Sequence, residues 1–183
     1  MRFNADELLN RLIEQTRDIG AFANGLKLRS DLELRTRPDQ HAWSVLECLE
    51  HLNRYGNYYL REIGEKMDRS HHGKAPYFKS GLVGNYFAES MLPAKKRNKM
   101  KTFKSMDPIY VPLDRTVIDT FIDQQREMLA LLERAKDKNL NKVRTNISIT
   151  RLIKIRLGDT FRIVIYHNIS HIEQIKRILS IRD

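Results

Sequence analysis

The chain has 183 residues, 41% of them hydrophobic and 31% charged, which excludes intrinsic disorder and a collagen-like repeat. Its 8 glycines and 5 prolines are too few for an all-β protein full of tight turns, and one cysteine, Cys48, excludes a disulfide framework or a multi-cysteine zinc site. Lys plus Arg is 33 against 23 Asp plus Glu, a net charge of +10 that admits nucleic acid, an anionic membrane surface or an acidic small molecule as partner without selecting one.

The first predicted helix runs from Ala5 to about Phe22, on the helical spacing of Leu8, Leu9, Leu12, Ile13, Ile19 and Phe22, with Asn4 as its N-cap. Residues 26–42 are polar, contain Pro38 and read as a connection. The second helix spans about Ser44 to Met67. Ser44 and Glu47 form a capping box and Trp43 precedes it at the staple position. Residues 68–112 carry Gly73, Pro76, Gly81, Gly84, Pro93, Pro108 and Pro112, so they read as a long irregular excursion with a short helix around Val83–Met91. Lys95, Lys96, Arg97, Lys99, Lys101 and Lys104 form a basic run within it. The third helix covers about Asp114 to Lys136, with Asp114 as its cap. A short ordered piece is expected near Ile149–Leu157, and a final helix from about Thr160 to Ile181, introduced by Gly158 and Asp159. Four amphipathic segments joined by loops imply an all-α, four-helix bundle with residues 1–183 in a single domain. No apolar core of signal-peptide length opens the chain and no run of ~18 apolar residues occurs, so a cytoplasmic protein is expected.

Six histidines occur: His41, His51, His71, His72, His167 and His171. His41, His71 and His72 read as solvated loop residues. His167 and His171 lie one helical turn apart, about 6 Å along the axis, at the edge of the apolar face. Neutral imidazoles in that arrangement chelate a divalent cation. His51, between Leu49 and Leu52 on the second helix, is the third imidazole that a three-histidine site needs. The residues alone leave two readings open, a metal site or three separate hydrogen-bonded core histidines. The H-E-x-x-H motif is absent, because Asn168 follows His167. Three further residues stand where they would orient a ring or meet a bound substrate: Glu47, one turn before His51, Tyr55, one turn after it, and Gln174, three residues past His171. Cys48 reads as a buried structural thiol.

The stretch W-S-V-L-E-C-L-E-H-L (Trp43 to Leu52) resembles the second-helix motif of the DinB-like superfamily. The stretch L-G-D-T-F-R-I-V-I-Y-H-N-I-S-H-I-E-Q-I (Leu157 to Ile175) resembles its fourth-helix motif, H-x-x-x-H-x-x-Q included. The resemblance implies a four-helix bundle with an unusual connection and a divalent metal (nickel, zinc or iron) held by His51, His167 and His171. It also implies an enzyme, first of all a thiol S-transferase acting with bacillithiol, mycothiol or glutathione, with metal-dependent hydrolysis as the alternative. In the transferase reading the Lys95–Lys104 run and the Arg144–Arg156 region attract an anionic thiol. Homodimers are common in the superfamily. A non-catalytic basic binding or scaffold protein is the remaining alternative. Nucleic acid is not expected as a partner, since no known nucleic-acid module is present, and neither is a membrane.

Overall fold

The computed structural model describes residues 1–92, 102–148 and 150–180. In chain order these form β1 (Arg2–Asn4), α1 (Ala5–Gly25), α2 (Asp31–Arg35), α3 (Val45–Asp68), β2 (Tyr77–Lys79), α4 (Leu82–Met91), α5 (Thr116–Ala135), β3 (Arg144–Ile147), β4 (Thr150–Arg156) and α6 (Leu157–Ser180). Single 3₁₀ turns occupy Leu26–Leu28 and Lys104–Met106.

The four long helices close a ring. α1 packs against α5 and α6, and so does α3. α1 and α3 therefore stand at opposite corners, as do α5 and α6. The chain steps across a diagonal twice, over residues 26–44 and 136–156, which gives the bundle its unusual connectivity. Leu12, Leu49, Ile63, Leu132, Phe161 and Ile175 are fully buried in the shared core.

Local chemistry sets the helix starts. The Asn4 side chain accepts from the backbone N–H groups of Asp6 and Glu7, at 3.0 and 3.2 Å. Ser44 and Glu47 form the reciprocal capping box that opens α3. α5 starts at Thr116 rather than Asp114, whose carboxylate accepts from the Thr116 N–H at 2.8 Å.

Several elements differ from the sequence expectation. The polar connection holds a short helix, α2, opened by a second capping box, Ser30 with Glu33. Helix α1 continues through Gly25. The excursion after α3 contributes β2, which pairs antiparallel with β1 through Phe3 and Phe78. Residues 144–156 form the hairpin β3–β4, with Arg144 opposite Arg156. α6 begins at Leu157, three residues early, because the Leu157 N–H is already satisfied by the Val143 carbonyl at 3.0 Å. Gly158 and Asp159 are thereby buried inside the helix. Lys95, Lys96, Arg97, Lys99 and Lys101 lie outside the described residues.

A buried polar network fastens α4 to α6. The Asp159 carboxylate accepts from the Ser80 hydroxyl, from the Gly81 N–H at 2.9 Å and from the Arg162 guanidinium at 3.3 Å. Arg162, almost wholly buried, also donates to Glu89 at 2.7 Å. The buried Arg162 charge thus meets two carboxylates, Asp159 and Glu89, as burial requires.

Candidate metal centre

His51 lies in the second turn of α3, and His167 and His171 lie midway along α6. Because α3 and α6 are neighbours in the ring, the three imidazoles meet. The His167 Nε2 stands 3.2 Å from the His51 Nε2 and 3.1 Å from the His171 Nε2. One ligand atom from each ring lies within 4.8 Å of the others, and this is the one such three-residue group among the described residues. His51 is buried, while His167 and His171 keep partly accessible surface.

The other ring nitrogens show which atoms hold protons. The His51 Nδ1–H donates to the Met106 carbonyl at 2.8 Å, and the His171 Nδ1–H donates to the Gln174 side-chain carbonyl at 3.0 Å. A carbonyl oxygen only accepts, so in the neutral rings both Nε2 atoms present lone pairs to the centre. His167 can offer one proton at most, which leaves at least one inward lone pair without a donor. A divalent cation accepts all three. Ligands about 2.1 Å from a tetrahedral ion stand about 3.4 Å from one another, close to both separations measured from His167.

Electrostatics favour the neutral, metal-ready rings. Burial, then the neighbouring His171 and His51, push the His167 ring well below its usual range. Burial and His51 push His171 down to about 3. Burial also lowers His51, against the opposing effect of its bond to Met106.

The surrounding walls are aromatic. Trp43 packs 4.6 Å from the His51 ring and 5.8 Å from the His171 ring, centroid to centroid. Tyr55 meets His51 and His167 edge-on at 5.0 and 5.1 Å. The Tyr55 hydroxyl has no hydrogen-bond partner among the described residues, and burial raises its pKa, so it stays a neutral donor.

The residues marked in the sequence thus have different placements. His51, His167 and His171 converge, Gln174 bonds one of them and Tyr55 borders two. Glu47 is engaged elsewhere: its carboxylate accepts from Arg37 at 2.6 and 2.8 Å, from the Ser44 N–H at 2.8 Å and from the Tyr110 N–H at 2.8 Å. Cys48 is buried, and desolvation raises its thiol pKa far above the usual range. Arg144 and Arg156 face each other across the hairpin, and the Arg156 guanidinium donates to the Lys79 carbonyl. Sequence reasoning missed Met106, which acts through its main chain and so leaves no residue-type signal. It also missed Arg54 and Asp107, whose bonds to the site's surroundings come from distant loop partners.

Fold and site together define a helical bundle with a three-histidine group able to hold a metal ion between two neighbouring helices. The family model of the DinB superfamily matches residues 11–175, so the chain belongs to that superfamily. No match was found among curated proteins or among solved structures. Among the described residues, no helix is long and apolar enough to cross a membrane.

Proposed function

We propose that this chain is a divalent-metal-dependent enzyme that transfers a low-molecular-weight thiol to an electrophile. The observation that carries this reading is the convergence of three Nε2 atoms, two of them fixed as lone-pair donors by bonds at Nδ1. A divalent cation held there supplies a positive centre that lowers the pKa of a bound thiol. Three protein ligands leave a coordination position for that thiol.

The chain's own residues do the rest. Met106 and Gln174 hold two rings in register, while Trp43 and Tyr55 limit water around them. The Tyr55 phenol is available to hydrogen-bond the electrophile or its departing group. In the transfer, a sulfur–carbon bond forms as the bond to the leaving group breaks, and the thiol proton passes to solvent. Among the described residues, no carboxylate is hydrogen-bonded to any of the three rings, and Glu47 is held by Arg37 and Tyr110. A thiol ionises far more readily than water and can be transferred without a base beside it, which favours transfer over hydrolysis as the chemistry of the site.

The test is to load the purified chain with zinc, nickel or iron and to offer bacillithiol, mycothiol or glutathione with a fluorogenic alkylating electrophile. Metal-dependent conjugate formation that vanishes in His51→Ala is the expected result. Metal-dependent ester or amide cleavage without thiol conjugation would replace the transferase reading with a hydrolase.

A further inference from the structure

The acceptor that fixes His51 is a main-chain carbonyl on a structure too small to hold itself in place. Met106 ends a three-residue 3₁₀ turn, Lys104–Met106, whose own support is two bonds, from the Met106 N–H to the Phe103 carbonyl at 2.8 Å and from the Asp107 N–H to the Lys104 carbonyl at 3.3 Å. Such turns have poor hydrogen-bond geometry and little intrinsic stability. Outside bonds therefore decide where the carbonyl lies.

Those bonds converge from α3. Arg54, less than one turn past His51, donates from one guanidinium nitrogen to the Ser105 carbonyl at 3.2 Å and to the Asp107 carbonyl at 3.1 Å. These carbonyls flank that of Met106. The Arg54 Nε donates to Glu50 at 2.8 Å, one turn back on the same helix, which fixes the side chain. On the far side, the Trp43 indole N–H donates to the Asp107 carboxylate at 3.0 Å, and the same oxygen accepts from the Ile109 N–H at 3.1 Å.

We infer that Arg54 is a positioning residue: by clamping the Ser105 and Asp107 carbonyls it places the Met106 carbonyl on the His51 Nδ1–H, and so selects the tautomer in which the His51 Nε2 is free to bind a metal. The alternative is close at hand. If the carbonyl moves away, the His51 proton is better placed on Nε2, 3.2 Å from the His167 Nε2 that would accept it. In that tautomer the atom facing the centre is an N–H and cannot coordinate. The consequence for metal binding rests on the functional reading above; the control of the tautomer does not.

The experiment uses the full chain, ¹⁵N-labelled, and reads the imidazole tautomers of the metal-free protein by long-range ¹H–¹⁵N correlation. Zinc affinity by competition with a chelating dye follows. The parent should show His51 protonated at Nδ1. Arg54→Met should shift His51 toward the Nε2–H tautomer, leave His171 as it was, and weaken zinc binding by about 10–100-fold. Arg54→Lys should recover part of both, since one ammonium replaces the guanidinium fork incompletely. Met106→Ala should behave as the parent, because the acceptor is main-chain. Circular dichroism of each variant checks the fold. An Arg54→Met protein with the parent tautomer would overturn the inference, as would Met106→Ala reproducing the full effect. A parent that binds no metal would overturn the functional reading, while the tautomer shift would still decide the role of Arg54.

Discussion

Replacing Gly84 by alanine should loosen α4 from α6, although alanine is the better helix former. In an open helix the exchange stabilises by about 1 kcal/mol. At Gly84 the new Cβ would stand 2.4 Å from an Asp159 carboxylate oxygen, 2.5 Å from its Cγ and 2.6 Å from its Cβ. Rotation of the Asp159 side chain relieves little, because its own Cβ is among the clashing atoms. Its carboxylate is also tied to Ser80, Gly81 and Arg162. The helices must part by about 1 Å to reach normal contact, which stretches a buried ionic network. Overpacking costs about 1–3 kcal/mol, and weakening the network adds to it. Set against the propensity gain, a net loss of about 2 kcal/mol is expected. For a chain of this size that lowers Tm by about 4–8 °C. The matched control is Gly25→Ala at the end of α1, where a Cβ meets nothing within 4 Å and the backbone is right-handed helical. That change should stabilise by about 0.5–1 kcal/mol. Urea denaturation and thermal melts of both variants report the difference. A Gly84→Ala protein as stable as the parent would refute the close α4–α6 contact.

Two further outcomes follow from buried titratable groups. His51, His167 and His171 are all lowered in the fold, so below about pH 6.5 the unfolded chain binds more protons than the folded one. The metal-free protein should keep its full stability above that pH and lose it on acidification, by up to about 1.4 kcal/mol per pH unit for each histidine. Denaturant midpoints that stay constant from pH 7 to 5.5 would contradict this. Cys48, buried with its thiol pKa raised by desolvation and the nearby Glu47 charge, should resist a disulfide reagent in the folded protein and react after denaturation. Rapid reaction under native conditions would show that the thiol is accessible.

Much of the bundle was legible because its signals are local. The apolar spacing of the four long helices, the Asn4 cap and the Ser44–Glu47 box each lie within a few residues of what they control. Helix α2 carried the same signature in Ser30 and Glu33, but only five residues follow the cap, too few to show a period. Strand β1 escaped because its partner lies about 75 residues away at Tyr77–Lys79, a pairing no local pattern records. The β3–β4 hairpin shows in the sequence only as a short ordered piece near Ile149–Leu157, since its two strands support each other rather than a larger sheet. At the site, the helical spacing of His167 and His171 identified the pair, the place of His51 between Leu49 and Leu52 offered a third imidazole, and the family resemblance joined the three as ligands. Glu47, the carboxylate one turn before His51, faces Arg37 and Tyr110. A helix start satisfies its own orphan N–H groups before it serves a neighbouring ring. The true acceptor, the Met106 carbonyl, lies 55 residues from His51 and belongs to the backbone.

The central claim is that the three imidazoles form a metal site. Its most direct measurement is elemental mass spectrometry of the untagged chain, purified and then offered zinc, nickel and iron, beside a His167→Ala variant. The account predicts close to one divalent ion per chain in the parent and loss of that ion in the variant, with both proteins folded. A folded parent that retains none of the three metals, or a variant that retains as much as the parent, would contradict it.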